Sequence, residues 1–296
     1  MNIYRAFGLT ISSEFTIGQL PGSDSEQIDV RIIRSSLPAV QQESAVLTIK
    51  AGQYLFSYPG IALLRITNGD LIEVDPAPGC TASHLAVYLM GSCMGAILVQ
   101  RGFMLLHGSC ITDGKRSVLI TGDSGAGKST LAAEFLKRGW RLITDDVTTV
   151  IDVEHPTVQS SYPSQKLWQD ALEQYGKDED DIHSLYFDAQ REKFGISVAD
   201  SFFEGTAPLS MVVRLVPADQ ATGLSPIEGF AKVDQLLYNT YRIYLIEEPH
   251  RQKHFQRCVT LSTKIPMVLA VREKGKQCAD TLYELITDYL EEQNHD

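Results

Sequence analysis

Eight residues, Gly122-Asp-Ser-Gly-Ala-Gly-Lys-Ser129, place the strictest limit on how this 296-residue chain can fold. They match the G-x-x-x-x-G-K-[ST] pattern in full and lie between an apolar strand candidate, 117–121, and a helix candidate, 129–138. Glycines let the main chain bend so that successive N–H groups face one anion, and the N-terminus of the helix adds its positive end. The segment therefore predicts a phosphate-binding loop between a strand and a helix.

This loop has the Walker A, or P-loop, sequence, and each of its residues has an expected ligand. Lys128 is expected to reach the β- and γ-phosphates of ATP, and the Ser129 hydroxyl is expected to bind Mg²⁺. ATP and Mg²⁺ are therefore the expected cofactors. The other residues expected to line the nucleotide are Gly122, Asp123, Ser124, Gly125, Ala126, Gly127 and Thr130.

Two adjacent carboxylates, Asp145 and Asp146, follow the next apolar strand candidate, 141–144. In α/β cores the carboxyl end of such a strand lies beside the bound phosphates. Neighbouring side chains on an extended chain point in different directions, so one carboxylate can hold Mg²⁺ while the other faces an acceptor hydroxyl. The alternative is that both simply cap a turn, where aspartate is common.

Four further polar residues are candidates for the same chemistry. His107 ends an apolar stretch one strand before the loop, where a histidine is either structural or catalytic. Arg191, Lys193 and Lys166 could each stabilise the charge that spreads over a phosphoryl group during its transfer. Each of these three cations could equally be a solvated surface residue.

Charge and cysteine usage limit the class of protein. With 26 basic and 37 acidic residues the formal net charge is −11, which disfavours unspecific binding to nucleic acid or anionic lipid. The five cysteines form no CxxC pair and have no metal-ligand spacing, which predicts reduced thiols. The N-terminus lacks the apolar region of a signal peptide. We therefore expect a cytoplasmic protein without a nucleic-acid partner.

One stretch, Thr81–Gln100, has no formally charged residue and is long enough to span a membrane. Its glycine, serine and histidine residues favour a buried core helix instead, so no membrane partner is expected.

The chain changes character near residue 80. Residues 1–80 hold short apolar runs separated by turn-forming residues, which predicts a β-rich N-terminal domain. Residues 81–296 contain the strand–loop–helix–strand order of a catalytic α/β domain, so the fold class is mixed α/β. Beyond the aspartates, apolar patterning predicts a helix over 166–175, buried strands over 209–215 and 267–271, and an amphipathic helix over 278–292.

Four segments together resemble one family: LLHGS at 105–109, GDSGAGKST at 122–130, KRGWRLITDD at 137–146 and YPSQKLW at 162–168. They resemble the catalytic domain of the HPr kinase/phosphorylase family, whose fold is related to that of phosphoenolpyruvate carboxykinase. The resemblance is specific over Phe103–Trp168. The stretch YRAFGLTISSEF at 4–15 also looks like the stand-alone relatives of that family, some of which phosphorylate a precursor peptide in lasso-peptide biosynthesis.

The resemblance implies a role for each matching residue. His107 and Asp145 cooperate in handling the acceptor proton, with Asp145 as the base; Asp146 and Ser129 bind the metal; Lys128 binds the phosphates. Bifunctional members of the family carry an LExRGxGI signature after the two aspartates. The corresponding stretch here, AQREKFGI at 189–196, lacks it, so neither phosphorylase activity nor HPr as substrate is implied.

The favoured hypothesis is an ATP-dependent kinase, that is, a phosphotransferase acting on a Ser or Thr hydroxyl of a protein or peptide, with a lasso-peptide precursor as the favoured substrate. A small-molecule kinase is a close variant, because the loop chemistry is the same for any hydroxyl. A nucleotide-hydrolysing regulatory protein without a phosphorylated acceptor is the other class. His107 beside Asp145 favours a kinase, since a switch protein needs to position only a water. A homo-oligomer is compatible with the family resemblance.

Overall fold

The computed structural model describes residues 1–38, 45–50, 52–168, 182–188 and 191–293, with the main chain alone for 167–168, 182–188, 191–194 and 249. These residues form three β-sheets with helices packed against them, which is a mixed α/β arrangement. The α-helices of the described part are Ala82–Tyr88, Met94–Gln100, Lys128–Lys137, Phe230–Tyr238, Glu248–Lys264 and Ala279–Glu292, with short 3₁₀ turns at Ala199–Ser201 and Ile243–Leu245.

The N-terminal residues form a seven-stranded sheet in the order β1-β2-β3-β7-β6-β5-β4. Buried and less buried residues alternate along several of its strands, as period-two patterning requires for a sheet with one face in the core. The β-rich character expected for this part of the chain is confirmed. The strands are β1 (Asn2–Ala6), β2 (Leu9–Ser13), β3 (Val30–Arg34), β4 (Val46–Lys50), β5 (Gln53–Tyr58), β6 (Ala62–Thr67) and β7 (Leu71–Pro76).

A helix, Ala82–Gln100, follows this sheet and contains one π-helical turn at Leu89–Cys93. Its buried side chains belong to the same apolar cluster as those of the N-terminal strands. By length and composition alone it could cross a membrane, but 61% of its apolar window is buried inside the protein. This packing agrees with the expectation of a core helix. The predicted domain boundary between residues 80 and 81 thus separates a sheet from the helix that covers it. The division into domains 1–80 and 81–296 stays a proposal.

The second sheet contains the strands around the glycine loop, in the order β16-β12-β11-β8-β9-β17-β19-β18, with β10 paired to β8. Strands β9, β17 and β19 run parallel, whereas β8 is antiparallel to β9 and to β10. Its members are β8 (Met104–Thr112), β9 (Ser117–Thr121), β10 (Arg141–Thr144), β11 (Val147–Asp152), β12 (Thr157–Gln159), β16 (Thr206–Pro208), β17 (Met211–Ala218), β18 (Gly223–Pro226) and β19 (Met267–Glu273).

The register of this sheet brings three motifs to one edge. Gly108 of β8 lies opposite Thr121, the last residue of β9 before the loop, and His107 lies opposite Val147, the residue after the two aspartates. Strand direction and register together therefore place the loop, the histidine and the carboxylates at the same end of the sheet.

A third, three-stranded sheet has the order β13-β15-β14, with β13 (Ser164–Trp168), β14 (Ile182–Asp188) and β15 (Arg191–Ser197). The helix predicted over 166–175 is therefore wrong for 166–168, and 169–175 lie outside the described residues. The local sequence has a helical period, but pairing of five consecutive residues with β15 overrides it.

One histidine of the helix Glu248–Lys264 makes stability depend on pH. His254 is buried, with Nε2 2.8 Å from the Thr240 hydroxyl oxygen. Burial and then the charge of Arg257 lower the pKa of His254 from 6.5 to about 4. The unfolded chain takes up a proton that the folded protein does not, so this contribution to stability is lost as pH falls from about 6.5 towards 4.

We expect the free energy of unfolding of the wild type to fall, relative to that of His254→Gln, by on the order of 2–3 kcal/mol between pH 7 and pH 4. Denaturant titrations at several pH values measure this difference. His250→Gln, at an exposed position of the same helix, is the matched control and should follow the wild type. Parallel pH profiles for the wild type and His254→Gln would contradict the prediction.

Candidate active site

The glycine loop joins β9 to the helix Lys128–Lys137, and its first residue is fixed by a close backbone approach. Gly122 has φ 149°, and a Cβ atom on it would lie 2.6 Å from the carbonyl oxygen of Leu215 on β17. No side chain fits there. Lys128 folds back over the loop, where Nζ donates to the carbonyl oxygens of Gly122 at 2.9 Å and Asp123 at 3.1 Å.

Two neighbouring parallel strands and the end of the helix Phe230–Tyr238 hold the loop from outside. Arg214 of β17 donates to the Asp123 carboxylate at 3.1 Å, and the Tyr238 hydroxyl donates to the same oxygen at 2.9 Å. Arg272 of β19 donates to the carbonyl oxygen of Ala126 at 3.2 Å. The Tyr238 hydrogen bond and then the Arg214 charge lower the pKa of Asp123. Asp123 therefore anchors the loop as an anion, in addition to its expected place beside the nucleotide.

Contacts of the β8 main chain hold His107 at the same edge. Its main-chain N–H donates to the carbonyl oxygen of Asn239 at 2.7 Å. The next residue, Gly108, faces β9 so closely that a Cβ atom would lie 2.4 Å from the carbonyl oxygen of Ile120. Close packing against β9 thus explains the glycine at position 108, and the geometry of the site explains the histidine at position 107.

Asp145 is buried at 8% exposure and held by two donors. The Ser109 hydroxyl donates to Oδ1, and the main-chain N–H of Lys166 donates to Oδ2 at 2.8 Å. A carboxylate has about four lone-pair positions, so these two bonds leave room for an acceptor hydroxyl.

Asp146 adopts φ 78°, which is rare for residues other than glycine and asparagine or aspartate. Its main-chain oxygen lies 3.1 Å from His107 Nδ1 and accepts from the Gly108 N–H at 3.3 Å. Its Oδ1 lies 3.4 Å from the same His107 nitrogen. A non-glycine residue held in this region costs on the order of 1–3 kcal/mol, and such residues cluster at functional sites.

Burial lowers the pKa of His107, the nearby Lys128 charge acts in the same direction, and Asp146 opposes both. The imidazole is therefore neutral at neutral pH. When Nδ1 carries the proton and donates to Asp146, Nε2 carries the lone pair. A neutral imidazole in this position can accept or relay a proton.

Strand β13 completes the site with two adjacent residues. Lys166 Nζ lies 2.7 Å from Asp146 Oδ2, and the Gln165 side-chain amide donates to the carbonyl oxygen of Ser129 at 3.0 Å. Burial disfavours the ammonium of Lys166, but the Asp146 carboxylate and then the Tyr162 hydroxyl group outweigh this, so the pKa of Lys166 is raised. One strand therefore links the start of the loop helix to both aspartates.

The donor set suits Mg²⁺ brought in by a nucleotide. No group of three or more His, Cys, Asp or Glu side chains that could hold a metal occurs among the described residues. Mg²⁺ is usually bound by one or two carboxylates plus substrate phosphates rather than by a protein cage. The hard oxygens at this edge, the Asp146 carboxylate and the Ser129 hydroxyl, fit that type of site.

The structure brings most of the predicted site residues together, with one change of partner. The resemblance pairs His107 with Asp145, whereas here His107 contacts Asp146 and Asp145 contacts Ser109. Arg191 begins β15, but its side chain and that of Lys193 lie outside the described part.

Sequence reasoning missed Ser109 and the three residues that hold the loop, Arg214, Tyr238 and Arg272. Ser109 alone had a signal, since it stands in LLHGS two residues after the histidine and on the same side of the strand. The others lie on segments too remote in sequence to be linked to the loop by spacing.

Comparison with known proteins places the similarity on this site. Residues 101–193 match the family model of the HPr Serine kinase C-terminal domain. The matched range includes His107, the whole glycine loop, both aspartates and Lys166. It ends before Arg214 and Tyr238.

Curated relatives match over less than a third of this chain. The HPr kinase/phosphorylase of Clostridium beijerinckii is 38% identical over 81 residues, which is 27% of this chain and 26% of the relative. That of Stenotrophomonas maltophilia is 34% identical over 90 residues, 30% of this chain and 28% of the relative. The chain thus spans little more than a quarter of the length of these relatives.

Among solved structures, the Hpr(Ser) kinase/phosphatase from Coxiella burnetii aligns with 64% of this chain and 93% of its own, at 14% sequence identity and a TM-score of 0.36. A TM-score below 0.5 does not establish a common fold. The similarity that counts is therefore the local one in sequence, over the part of the chain that builds the site.

Proposed function

We propose that this protein is an ATP-dependent phosphotransferase that moves the γ-phosphoryl group onto a Ser or Thr hydroxyl of a protein or peptide. The observation that carries the proposal is the meeting, at one sheet edge, of a glycine loop with its lysine, two aspartates and a neutral histidine. Positioning and electrostatic stabilisation make up most of phosphoryl-transfer catalysis, and these residue types supply both.

In this proposal each residue has one task. The loop from Gly122 to Thr130 binds the phosphates of ATP, with Lys128 on the β- and γ-phosphates. Ser129 and Asp146 hold Mg²⁺, which would neutralise charge on the phosphates. Asp145 accepts the acceptor proton, and His107 supports that step. Arg191 would add positive charge to the transferring group.

The finer choice of substrate rests on sequence resemblance. The YRAFGLTISSEF stretch resembles stand-alone kinases that act in lasso-peptide biosynthesis, so a precursor peptide is the favoured acceptor. A cytoplasmic location and a phosphoenolpyruvate carboxykinase-like fold belong to the same proposal. The names of the relatives support a protein acceptor in general: they are HPr kinase/phosphorylases, and the matched model is that of a serine kinase domain.

Incubation with γ-labelled ATP, Mg²⁺ and the peptides encoded beside its gene tests the proposal. Label on a Ser or Thr of a peptide is the expected result. Label on a small molecule would show that this molecule, and not a peptide, is the acceptor. Release of free phosphate alone, with no acceptor labelled, would overturn the proposal in favour of a nucleotide-hydrolysing regulator.

Removal of Mg²⁺ should abolish transfer, because the phosphate charge then lacks the metal that Ser129 and Asp146 are proposed to hold. The measurement is the transfer rate in excess chelator and again after Mg²⁺ is restored in excess over the chelator. Mn²⁺ should substitute, since it also prefers oxygen ligands. Transfer that persists in excess chelator would contradict the metal assignment.

A further inference from the structure

Lys166 contacts both aspartates of the site through different atoms. Its main-chain N–H donates to Asp145 Oδ2 at 2.8 Å, and its Nζ lies 2.7 Å from Asp146 Oδ2. The main-chain bond fixes β13 beside the aspartates. The side-chain bond then delivers an ammonium to the carboxylate that the proposed function assigns to Mg²⁺.

An ammonium at that distance competes with a metal ion for the same carboxylate. The Lys166 side chain is 18% exposed and that of Asp146 is 21% exposed, so water screens the pair only in part. A divalent cation that bound Asp146 beside Lys166 would meet a like charge in a partly buried site, which is unfavourable. Metal and ammonium therefore compete for this carboxylate unless an anion beyond the two aspartates is present.

We propose that Lys166 is the internal counter-ion of Asp146 and thereby keeps free divalent metal out of the site until nucleotide phosphates supply a second anionic partner for Lys166. The proposal rests on the assignment of Asp146 to the metal. When the metal arrives with a nucleotide, its phosphates bring several negative charges to the loop. Lys166 Nζ can then pair with phosphate, and Asp146 becomes available to the metal.

The consequence is thermodynamic coupling between metal and nucleotide. Because such coupling is reciprocal, a residue that makes metal binding depend on nucleotide also makes nucleotide binding depend on metal. Lys166 thus acts as a positioning residue, and binding alone suffices to test it.

The test measures Mn²⁺ binding to the nucleotide-free protein by the electron paramagnetic resonance signal of free Mn²⁺. The wild type should bind Mn²⁺ weakly, with a Kd on the order of millimolar. Lys166→Met should bind it about tenfold more tightly, because the competing charge is gone. Lys166→Arg keeps the charge and should resemble the wild type. The double variant Lys166→Met/Asp146→Asn should lose the gain, which assigns the site to Asp146.

A second arm titrates AMP-PNP calorimetrically with and without Mn²⁺. In the wild type, Mn²⁺ should strengthen AMP-PNP binding about tenfold or more, and in Lys166→Met this factor should shrink. The matched control is Lys264→Met, which removes a lysine from an exposed ion pair with Glu154. It should leave both titrations unchanged.

Three results would overturn the inference: tight binding of free Mn²⁺ to the wild type, Mn²⁺ affinity in Lys166→Met no higher than in the wild type, or an undiminished coupling factor in that variant. Circular dichroism checks that each variant folds. If Lys166→Met does not fold, Lys166→Gln is measured in its place. The titration of the wild type depends on no variant. Phosphate transfer is measured separately. Coupling without transfer would overturn the proposed function alone, and transfer without coupling would overturn this inference alone.

Discussion

Replacement of Lys128 by alanine should abolish phosphoryl transfer and leave the fold intact. Nζ of Lys128 is fixed over the loop by two main-chain carbonyl oxygens, so its charge is already in place when phosphates arrive. Loss of one preorganised charge of this kind costs on the order of 10²-fold or more in rate. The measurement is the rate of label transfer from γ-labelled ATP, with circular dichroism to check folding.

Lys137→Ala is the matched control for this experiment. Lys137 lies in the last turn of the same helix, and its side chain is 49% exposed and 3.8 Å from Glu134. Its loss should change transfer little. Near-normal turnover by Lys128→Ala would remove the central claim that the loop binds the transferred phosphate.

Asp145→Asn should reduce the rate of transfer by about 10²-fold or more and leave nucleotide affinity nearly unchanged, because it keeps the size of the side chain and removes the base. The new amide also replaces an oxygen that accepts from Ser109 or from the Lys166 N–H. A stability loss of about 1–3 kcal/mol is therefore expected and should be measured in parallel. Ser109→Ala, which removes one donor and keeps the base, should slow transfer much less.

Asparagine at position 146 should instead weaken Mg²⁺-dependent nucleotide binding, since a neutral amide is a poorer metal ligand than a carboxylate. Titration of AMP-PNP with and without Mg²⁺ separates the two variants. The roles are reversed if Asp145→Asn loses binding and Asp146→Asn keeps it. Normal transfer by both variants would mean that the two aspartates only form a turn and take no part in catalysis.

Much of the site was predictable because it is local in sequence. The strand 117–121, the loop and its helix are one contiguous unit, and the structure confirms the helix within one residue, at Lys128–Lys137. The strand 141–144 is likewise confirmed, and the sheet register then brings its end to the loop. Periodicity and glycine spacing carry enough information for such units.

The orientation of the two aspartates was not predictable from strand geometry. The expectation of opposite side-chain directions assumes an extended chain, but Asp146 has φ 78° and has already left the strand. This turn directs Asp146 towards His107 and leaves Asp145 with Ser109. Backbone conformations of this type depend on the packing around them and carry little local signal.

Contacts between distant segments were also beyond the sequence. Lys166 reaches Asp146 from a strand whose local sequence favours a helix, and Arg214 reaches Asp123 from 91 residues away. Only the pairing of β13 with β15 and of β17 with β9 sets these positions. Tertiary pairing decides such contacts, and a single sequence does not reveal it.

The helix Ala82–Gln100 has a practical consequence for proteolysis. The chain around the start of this helix is accessible: Pro78, Gly79 and residues 81–84 are exposed, so a protease can reach the chain there. The helix nevertheless buries its apolar side chains among those of the N-terminal strands, in a cluster that also includes Leu105 and Tyr241. A cut between residues 78 and 84 would therefore give a nicked protein whose two fragments stay together and elute as one species until denaturant separates them.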